Sequence, residues 1–405
     1  MTARPLRVLY LCDGFTDIRF VVGLAEACDL TLATPTMEFR TSGLAERLLQ
    51  SGTRVCVDEI QGRRPVFQMT SFAYLLRNAR RFDVVLAQGM GRGAVNATIA
   101  GRLLGVPVVT YESIAAVPYW RARRERGAVG PLTAAAGEAF IRACQTISGR
   151  LATTSIGLGP YLTEIIGQLS SNVEMGYYYG VDTDLFTPVD AARRLALRRL
   201  HVLPERTFLI LFSSRISHEK DPETALKAVA RARARGLDAT VLNLGGGHRD
   251  FVVLAEKLGL NDPHEWVFGR PAVHPMKDLC DYFQTADLVV QSSLEEGLGL
   301  SPLEALACGT PVVATDVGGL TQLRGVARLT PRGDVEAMVD AILWVSNNID
   351  VARRQALRGR DFVEMTWRKE RAFTELMRVL GDATRRSVAT IPHKECSEGA
   401  LRSRE

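Results

Sequence analysis

The chain has 405 residues, which at roughly 100–200 residues per domain suggests two to three domains. Hydrophobic residues make up 46% and charged residues 23%, the balance of a soluble globular protein; a disordered or fibrous chain and a small disulfide-stapled module are excluded. The formal charge of +5, from 50 basic and 45 acidic residues, is modest, and the most basic stretch, Arg121 to Arg126, lacks the aromatic platforms of a nucleic-acid surface.

In chain order, Leu6 to Leu11 is a compact apolar run, and Asp13-Gly14 turns the chain before a helical segment near Val21 to Cys28. Leu30 to Thr34, Arg54 to Val57, Val84 to Ala87 and Val106 to Tyr111 are further strands, each followed by a segment long enough for a helix, such as Ala94 to Leu104. The pattern restarts with strand Thr207 to Phe212 and helix Pro222 to Arg235. Strand Ala239 to Leu244, closed by Gly245-Gly246-Gly247, leads to helix Val252 to Leu258, and strands Leu288 to Gln291 and Pro311 to Thr315 follow. Short β-branched runs alternating with helical stretches predict βαβ units and parallel sheets. The expected architecture is α/β, with two doubly wound domains facing a cleft and ligands at the carboxyl ends of the strands. Domains are expected over residues 1–190 and 191–380, with a hinge near 186–206. The helix Arg368 to Leu380 packs on one of them, and loss of periodicity from Gly381 predicts a disordered tail over 381–405.

Seven cysteines, Cys12, Cys28, Cys56, Cys144, Cys280, Cys308 and Cys396, form no CxxC pair and no cysteine–histidine ligand spacing, so no metal site is expected. Their apolar neighbours predict buried thiols in a reducing cytoplasm. The opening segment is too short for a signal peptide, and no stretch approaches 18 apolar residues.

Two loops carry the candidate chemistry. In Glu295-Glu296-Gly297-Leu298-Gly299-Leu300-Ser301-Pro302-Leu303-Glu304, the glycines let the backbone approach a ligand. Ser301, Pro302 and Glu304 have the spacing of a capping box, which leaves helix N–H groups facing the loop. Glu296 and Glu304 flank that turn, and carboxylates suit sugar or ribose hydroxyls. Glu304 can serve its helix alone or a ligand as well. In Ser213-Ser214-Arg215-Ile216-Ser217-His218-Glu219-Lys220-Asp221-Pro222, a strand leads into a helix capped by Asp221. Arg215 and Lys220 there are either surface cations or a grip for a pyrophosphate. Asp182-Thr183-Asp184 imitates a metal-binding DxD motif, but its surroundings read as a turn and cap.

The segment from Glu296 to Glu304 resembles the E-x7-E region of the retaining GT-B glycosyltransferases of family 4. The resemblance extends to Ser214-Arg215 with Lys220, the glycine turn Gly245 to Gly247, Val267 to Gly269, Pro311 to Thr315, and the segment from Tyr179 to Pro188. It implies a GT-B fold and transfer of a hexose or N-acetylhexosamine from a nucleoside diphosphate sugar, UDP before GDP, to an acceptor hydroxyl without metal or other cofactor. Glu296 would hold donor-sugar hydroxyls, helped by the amides of Gly297, Leu298, Gly299 and Leu300. Glu304 would bind the ribose, Arg215 and Lys220 the diphosphate, and Gly14 and Gly247 would approach the donor. Many members carry a histidine after the strand ending near Tyr111; here Glu112 or a neighbour takes that position and is a further catalytic candidate. The family's asparagine before the Gly-Val-Asp of the inter-domain segment is replaced by Tyr179.

The expected partners are the nucleotide sugar and a small-molecule or lipid-linked acceptor, with peripheral membrane contact as one workplace and no nucleic acid. The segment Ile114 to Arg126 is the candidate border of the acceptor site. An epimerase of the same architecture and a noncatalytic two-domain sugar- or nucleotide-binding protein are the competing readings.

Overall fold

The computed structural model describes residues 4–13, 16–89, 91–272 and 276–389. The first sheet contains β1 (Arg7–Leu11), β2 (Asp29–Pro35), β3 (Cys56–Ile60), β4 (Val84–Gln88), β5 (Val108–Glu112), β6 (Thr154–Leu158) and β7 (Val173–Gly176), in the order β3-β2-β1-β4-β5-β6-β7. The second contains β8 (Phe208–Phe212), β9 (Ala239–Leu244), β10 (Val267–Arg270), β11 (Leu288–Gln291), β12 (Val312–Thr315) and β13 (Arg328–Thr330), in the order β10-β9-β8-β11-β12-β13. The strand pairings within both sheets are parallel. These are the two doubly wound α/β domains expected from the sequence.

Parallel sheets covered on both faces need strands that are apolar throughout, and Val8, Leu9 and Tyr10 of β1, like Ile210 and Phe212 of β8, are fully buried. The sequence reading passes over β6 and β7 for a physical reason. Thr154 and Ser155 of β6 interrupt the apolar run, yet both are buried because they are hydrogen-bonded. Asn172 Nδ2 donates to Thr154 Oγ1 at 2.7 Å, and Thr110 Oγ1 to Ser155 Oγ at 3.1 Å. β7 is a four-residue edge strand.

The strand order reverses between β1 and β4 in one sheet and between β8 and β11 in the other. Loops leaving the carboxyl ends of these neighbours diverge to opposite faces and open a crevice, which is where ligands of such sheets bind. The two candidate loops of the second domain, 213–221 and 292–299, leave β8 and β11 and so flank its crevice.

The chain crosses between domains twice. The first crossing begins earlier than the expected hinge at 186–206, because Tyr177, Val181 and Phe186 are already buried in the second domain's core. The return passes through Trp367, and the crossings pair: Val181 N donates to Trp367 O at 2.7 Å and Lys369 N to Val181 O at 2.9 Å. Beyond Trp367, helix Lys369–Ala389 lays Phe373, Leu376, Val379, Leu380 and Ala383 into the first domain's core, beside Phe20 and Val21. The loss of order expected from Gly381 does not begin there, since Ala383 continues the buried stripe and the helix runs on to Ala389. Residues 390–405 of the expected tail lie outside the described residues.

Gly23 makes room for this helix, since a Cβ there would sit 2.2 Å from the Phe373 ring. Phe373→Ala should cost about 3 kcal/mol, the low end for emptying a buried aromatic site, and be read as a lowered unfolding midpoint in denaturant.

Candidate functional site

Loops 213–221 and 292–299 are stitched together by backbone. Leu294 N donates to Glu219 O at 2.8 Å, and Ser292 Oγ donates to Asp221 O at 2.7 Å and Lys220 O at 3.1 Å. From β12, Thr315 Oγ1 reaches Ser293 O at 2.6 Å. This register brings Lys220 to Glu296, with Nζ 2.5 Å from Oε2. Gln291 Nε2 at 3.1 Å and Ser293 Oγ at 3.3 Å donate to the same oxygen. Both side chains of the pair are largely buried, so a cation and a carboxylate are held face to face at the crevice.

Asp221 takes φ +48° and caps helix Pro222–Ala234, accepting from Thr224 N at 3.4 Å and Thr224 Oγ1 at 2.6 Å. Arg126 of the first domain pairs with the buried Asp221. Arg215, by contrast, is 59% exposed and tied only loosely, its Nη2 3.1 Å from Glu219 Oε1. Gly247 takes φ +79° just before helix His248–Lys257, and Ile216 N donates to Gly246 O at 2.7 Å, so the glycine turn abuts the Arg215 loop.

The capping box expected at Ser301 does not form. Helix Leu300–Ala307 starts two residues earlier, after Gly299 at φ +81°, and Ser301 Oγ donates instead to Ser213 O at 2.9 Å. The Glu304 carboxylate turns away from its own helix start and pairs with Arg19 of the first domain. A buried carboxylate gains more from a cation than from one amide, so the tertiary partner wins. The amides of Gly297, Leu298, Gly299 and Leu300 donate to no acceptor among the described residues and remain available at the helix N-terminus.

The first domain closes on this loop. A Cβ on Gly297 would meet Ser113 O at 2.3 Å, and Tyr161 Oη donates to Glu295 Oε1 at 3.0 Å. Burial pushes the Glu295 carboxyl up to about 7, against the opposing pull of Tyr161. Ser113, rather than Glu112, presents its backbone to the loop. Glu112 points into the first domain, accepting from Gln145 Nε2 at 3.1 Å against the backbone of Gly89, and burial raises its carboxyl to about 8. Gly14 lies outside the described residues. Asp182 caps a turn through Leu185 N at 3.1 Å, and Asp184 is exposed beside Arg368, as the turn reading of this DxD sequence expects. Among the described residues no group of three or more His, Cys, Asp or Glu is arranged to hold a metal ion, and no helix is long and apolar enough to cross a membrane.

The sequence reading missed Arg19, Asp17 and Tyr161, while Ser113 is the neighbour that its one-residue latitude around Glu112 allowed. Arg19 is fixed by Asp17 at 3.0 Å and by Tyr179, whose hydroxyl lies 2.5 Å from Nη2. Only the departure at Tyr179 could have pointed to this cluster. A cavity of about 530 Å³ lies beside it, lined by Arg19, Tyr179, Leu185 and Phe373 among others, and it does not reach Glu296, Lys220 or Arg215.

Comparison with known proteins gives a family and a fold. A family model described as glycosyl transferases group 1 matches residues 194–362. The chain is 33% identical over 301 residues to D-inositol 3-phosphate glycosyltransferase 1 of Catenulispora acidiphila, covering 71% of this chain and 69% of that one. It is 36% identical over 208 residues to the D-inositol 3-phosphate glycosyltransferase of Paenarthrobacter aurescens and spans about half of that relative's length, 48%. Among solved structures, Anabaena HepE in complex with UDP-glucose superposes with a TM-score of 0.73 at 18% identity, covering 93% of this chain and 100% of that one. Sucrose-phosphate synthase from Thermosynechococcus elongatus gives 0.70 at 17% identity, covering 96% and 100%. At those identities the likeness establishes the two-domain GT-B architecture.

Glu112 gives a pH test. Its ordinary value is 4.5 and its folded value about 8, so between the two the unfolded state loses a proton that the folded state keeps, and stability falls as pH rises. The melting temperature of Glu112→Gln minus that of the parent should therefore grow from about pH 4.5 to about 8 and level off above, as followed by calorimetry.

Proposed function

We propose that this chain, which belongs to the group 1 glycosyl transferases, is a retaining enzyme of family 4 that moves a hexose unit from UDP-hexose to the hydroxyl of a small polyol. The observation that carries the reading is the Lys220–Glu296 pair at 2.5 Å, set beside the unengaged amides of residues 297–300. A diphosphate needs cations and N–H donors. A sugar needs a fixed acceptor for its hydroxyls. Both lie on adjoining loops at the crevice of one sheet.

In the mechanism, Lys220 and Arg215 take the two phosphates, and the exposed Arg215 folds in from its weak contact with Glu219. Glu296, fixed by Gln291 and Ser293, accepts from sugar hydroxyls once Lys220 is shared with the diphosphate. The bond between the anomeric carbon and the phosphate oxygen breaks with both electrons leaving on the nucleoside diphosphate. Its charge is met by Arg215, Lys220 and the 297–300 amides. The acceptor oxygen attacks from the same face, and its proton passes to the departing phosphate oxygen. Glu304 accepts from the ribose hydroxyls.

The donor base rests on HepE having been solved with UDP-glucose, and the polyol acceptor on the names of the D-inositol 3-phosphate relatives. The acceptor would approach from the first domain, near Ser113 and helix Ala116–Glu125. With the diphosphate neutralised by side chains and amides, turnover should survive EDTA.

Release of nucleoside diphosphate across a panel of UDP-, GDP-, ADP- and dTDP-sugars tests the reading. One donor, UDP-linked, should turn over. Lys220→Ala and Glu296→Ala should each lower kcat roughly 100- to 1,000-fold, the range for removing one preorganised charge-stabilising group. Full activity in both variants, or no turnover together with no nucleotide-dependent thermal shift, would overturn it.

A further inference from the structure

We infer that Arg19 is a positioning residue for the nucleoside: it holds one oxygen of Glu304 from the opposite domain and leaves the other oxygen for the ribose hydroxyls. This rests on the reading above, in which Glu304 meets the ribose.

Arg19 and Glu304 lie 285 residues apart and on different domains, Arg19 in the first turn of helix Ile18–Ala27 and Glu304 in helix Leu300–Ala307. Arg19 Nη1 contacts Glu304 Oε1, while Oε2 takes no hydrogen bond from any described residue. The guanidinium is held on three further points. Nε and Nη2 are each 3.0 Å from the Asp17 carboxylate, Nη2 meets Tyr179 Oη, and the guanidinium carbon lies 4.1 Å from the Tyr179 ring centroid. Asp17 is itself fixed, because it caps the same helix by accepting from Arg19 N at 2.9 Å. An arginine fixed in this way offers one N–H to Glu304 in a single geometry.

Burial and charge give the arrangement its purpose. Glu304 is 4% exposed, and burial pushes its carboxyl up while Arg19 draws it back toward the charged form. A ribose diol donates two hydroxyl protons, so it needs an ionised, correctly turned carboxylate. Without Arg19 the Glu304 side chain loses its one charged partner and the contact that fixes its rotamer, since its helix begins at Leu300 and leaves it too far from the helix start to cap it. Arg19 therefore fixes Glu304 in a single orientation with one oxygen left for a ligand. Tyr179, through its hydroxyl and its ring, is part of the same support.

The test measures Kd by calorimetry for UDP and for 2′,3′-dideoxy-UDP, which lacks the ribose diol, in the parent chain and in Arg19→Met, Arg19→Lys and Glu304→Gln. The parent should prefer UDP by about 10- to 100-fold, the range of charge-assisted hydrogen bonds to a buried acceptor. Arg19→Met should lose most of that preference with affinity for dideoxy-UDP unchanged, and Arg19→Lys should restore part of it. A change that only loosened the domain contact would weaken both nucleotides equally. If Arg19→Met does not fold, Arg19→Gln carries the same expectation. A parent-like preference in the folded variant, or an equal loss for both nucleotides, overturns the role of Arg19 while Glu304→Gln still loses the preference. If the parent itself shows none, or Glu304→Gln keeps it, the ribose assignment falls and this inference with it.

Discussion

Gly297 has no side chain, and the carbonyl of Ser113 occupies the space that one would fill. Two sheets whose carboxyl ends face each other can share a ligand only if the loops between them are thin enough to interleave, and this contact is where that condition is met. The neighbouring glycines extend it. A Cβ on Gly318 would meet Glu296 O at 2.2 Å, and one on Gly319 would meet Gly297 O at 2.3 Å. Gly319 N then donates to Glu296 O at 2.8 Å, which ties the loop's backbone to a second segment of its own domain. The loop carrying Glu295 and Glu296 is thus pressed between backbones on two sides. Its conformation is set by sterics before any side-chain interaction is counted.

Charges are then placed where that sandwich excludes water. A buried carboxylate is costly unless a cation or several donors meet it. Four are met by cations: Glu304 by Arg19, Asp221 by Arg126, Glu296 by Lys220, and Glu219 by Arg215. Two of those pairs cross between domains, so separating the domains would leave a buried charge without its partner. Glu112 and Glu295 accept hydrogen bonds from neutral groups, Gln145 and Tyr161, and burial carries both carboxyls up toward neutral pH. The contrast follows from partner chemistry: a neutral amide or phenol lowers the cost of a buried negative charge less than a guanidinium does.

Much of this was legible in the sequence, and what was not failed for identifiable reasons. Continuous apolar runs such as those of β1 and β8 announce strands of a covered parallel sheet, and the loops bearing Arg215, Lys220 and Glu296 follow from where such strands end. β6 escaped because Thr154 and Ser155 are satisfied by partners on other segments, which a window of sequence cannot see. The Ser301–Glu304 spacing pointed to a local pairing that the earlier helix start after Gly299 removes, and a distant arginine meets Glu304 instead. The sequence leaves Glu112 or a neighbour open for the position after β5: the Glu112 side chain enters the domain interior, while the chain just past the strand end brings the Ser113 carbonyl to the cleft loop. Arg19 carries no motif at all. Its importance arises wholly from the packing of one domain's first helix against the other's E-x7-E helix.

The two carboxylates of that motif are therefore supported differently. Glu296 is oriented by Lys220, Gln291 and Ser293, all from its own domain, while Ser113 of the first domain presses only on the backbone of its loop. Glu304 is oriented only by Arg19, across the interface. On the proposed reading the sugar and diphosphate end of the donor meets side chains that the second domain supplies, while the nucleoside end meets a carboxylate whose charged partner comes from the first. The binding energy of the nucleoside is then available to hold the domains closed over the reacting end, where exclusion of water strengthens every charge contact made by Lys220 and Arg215. The part of the donor that undergoes no chemistry would in this way assemble the surroundings of the part that does.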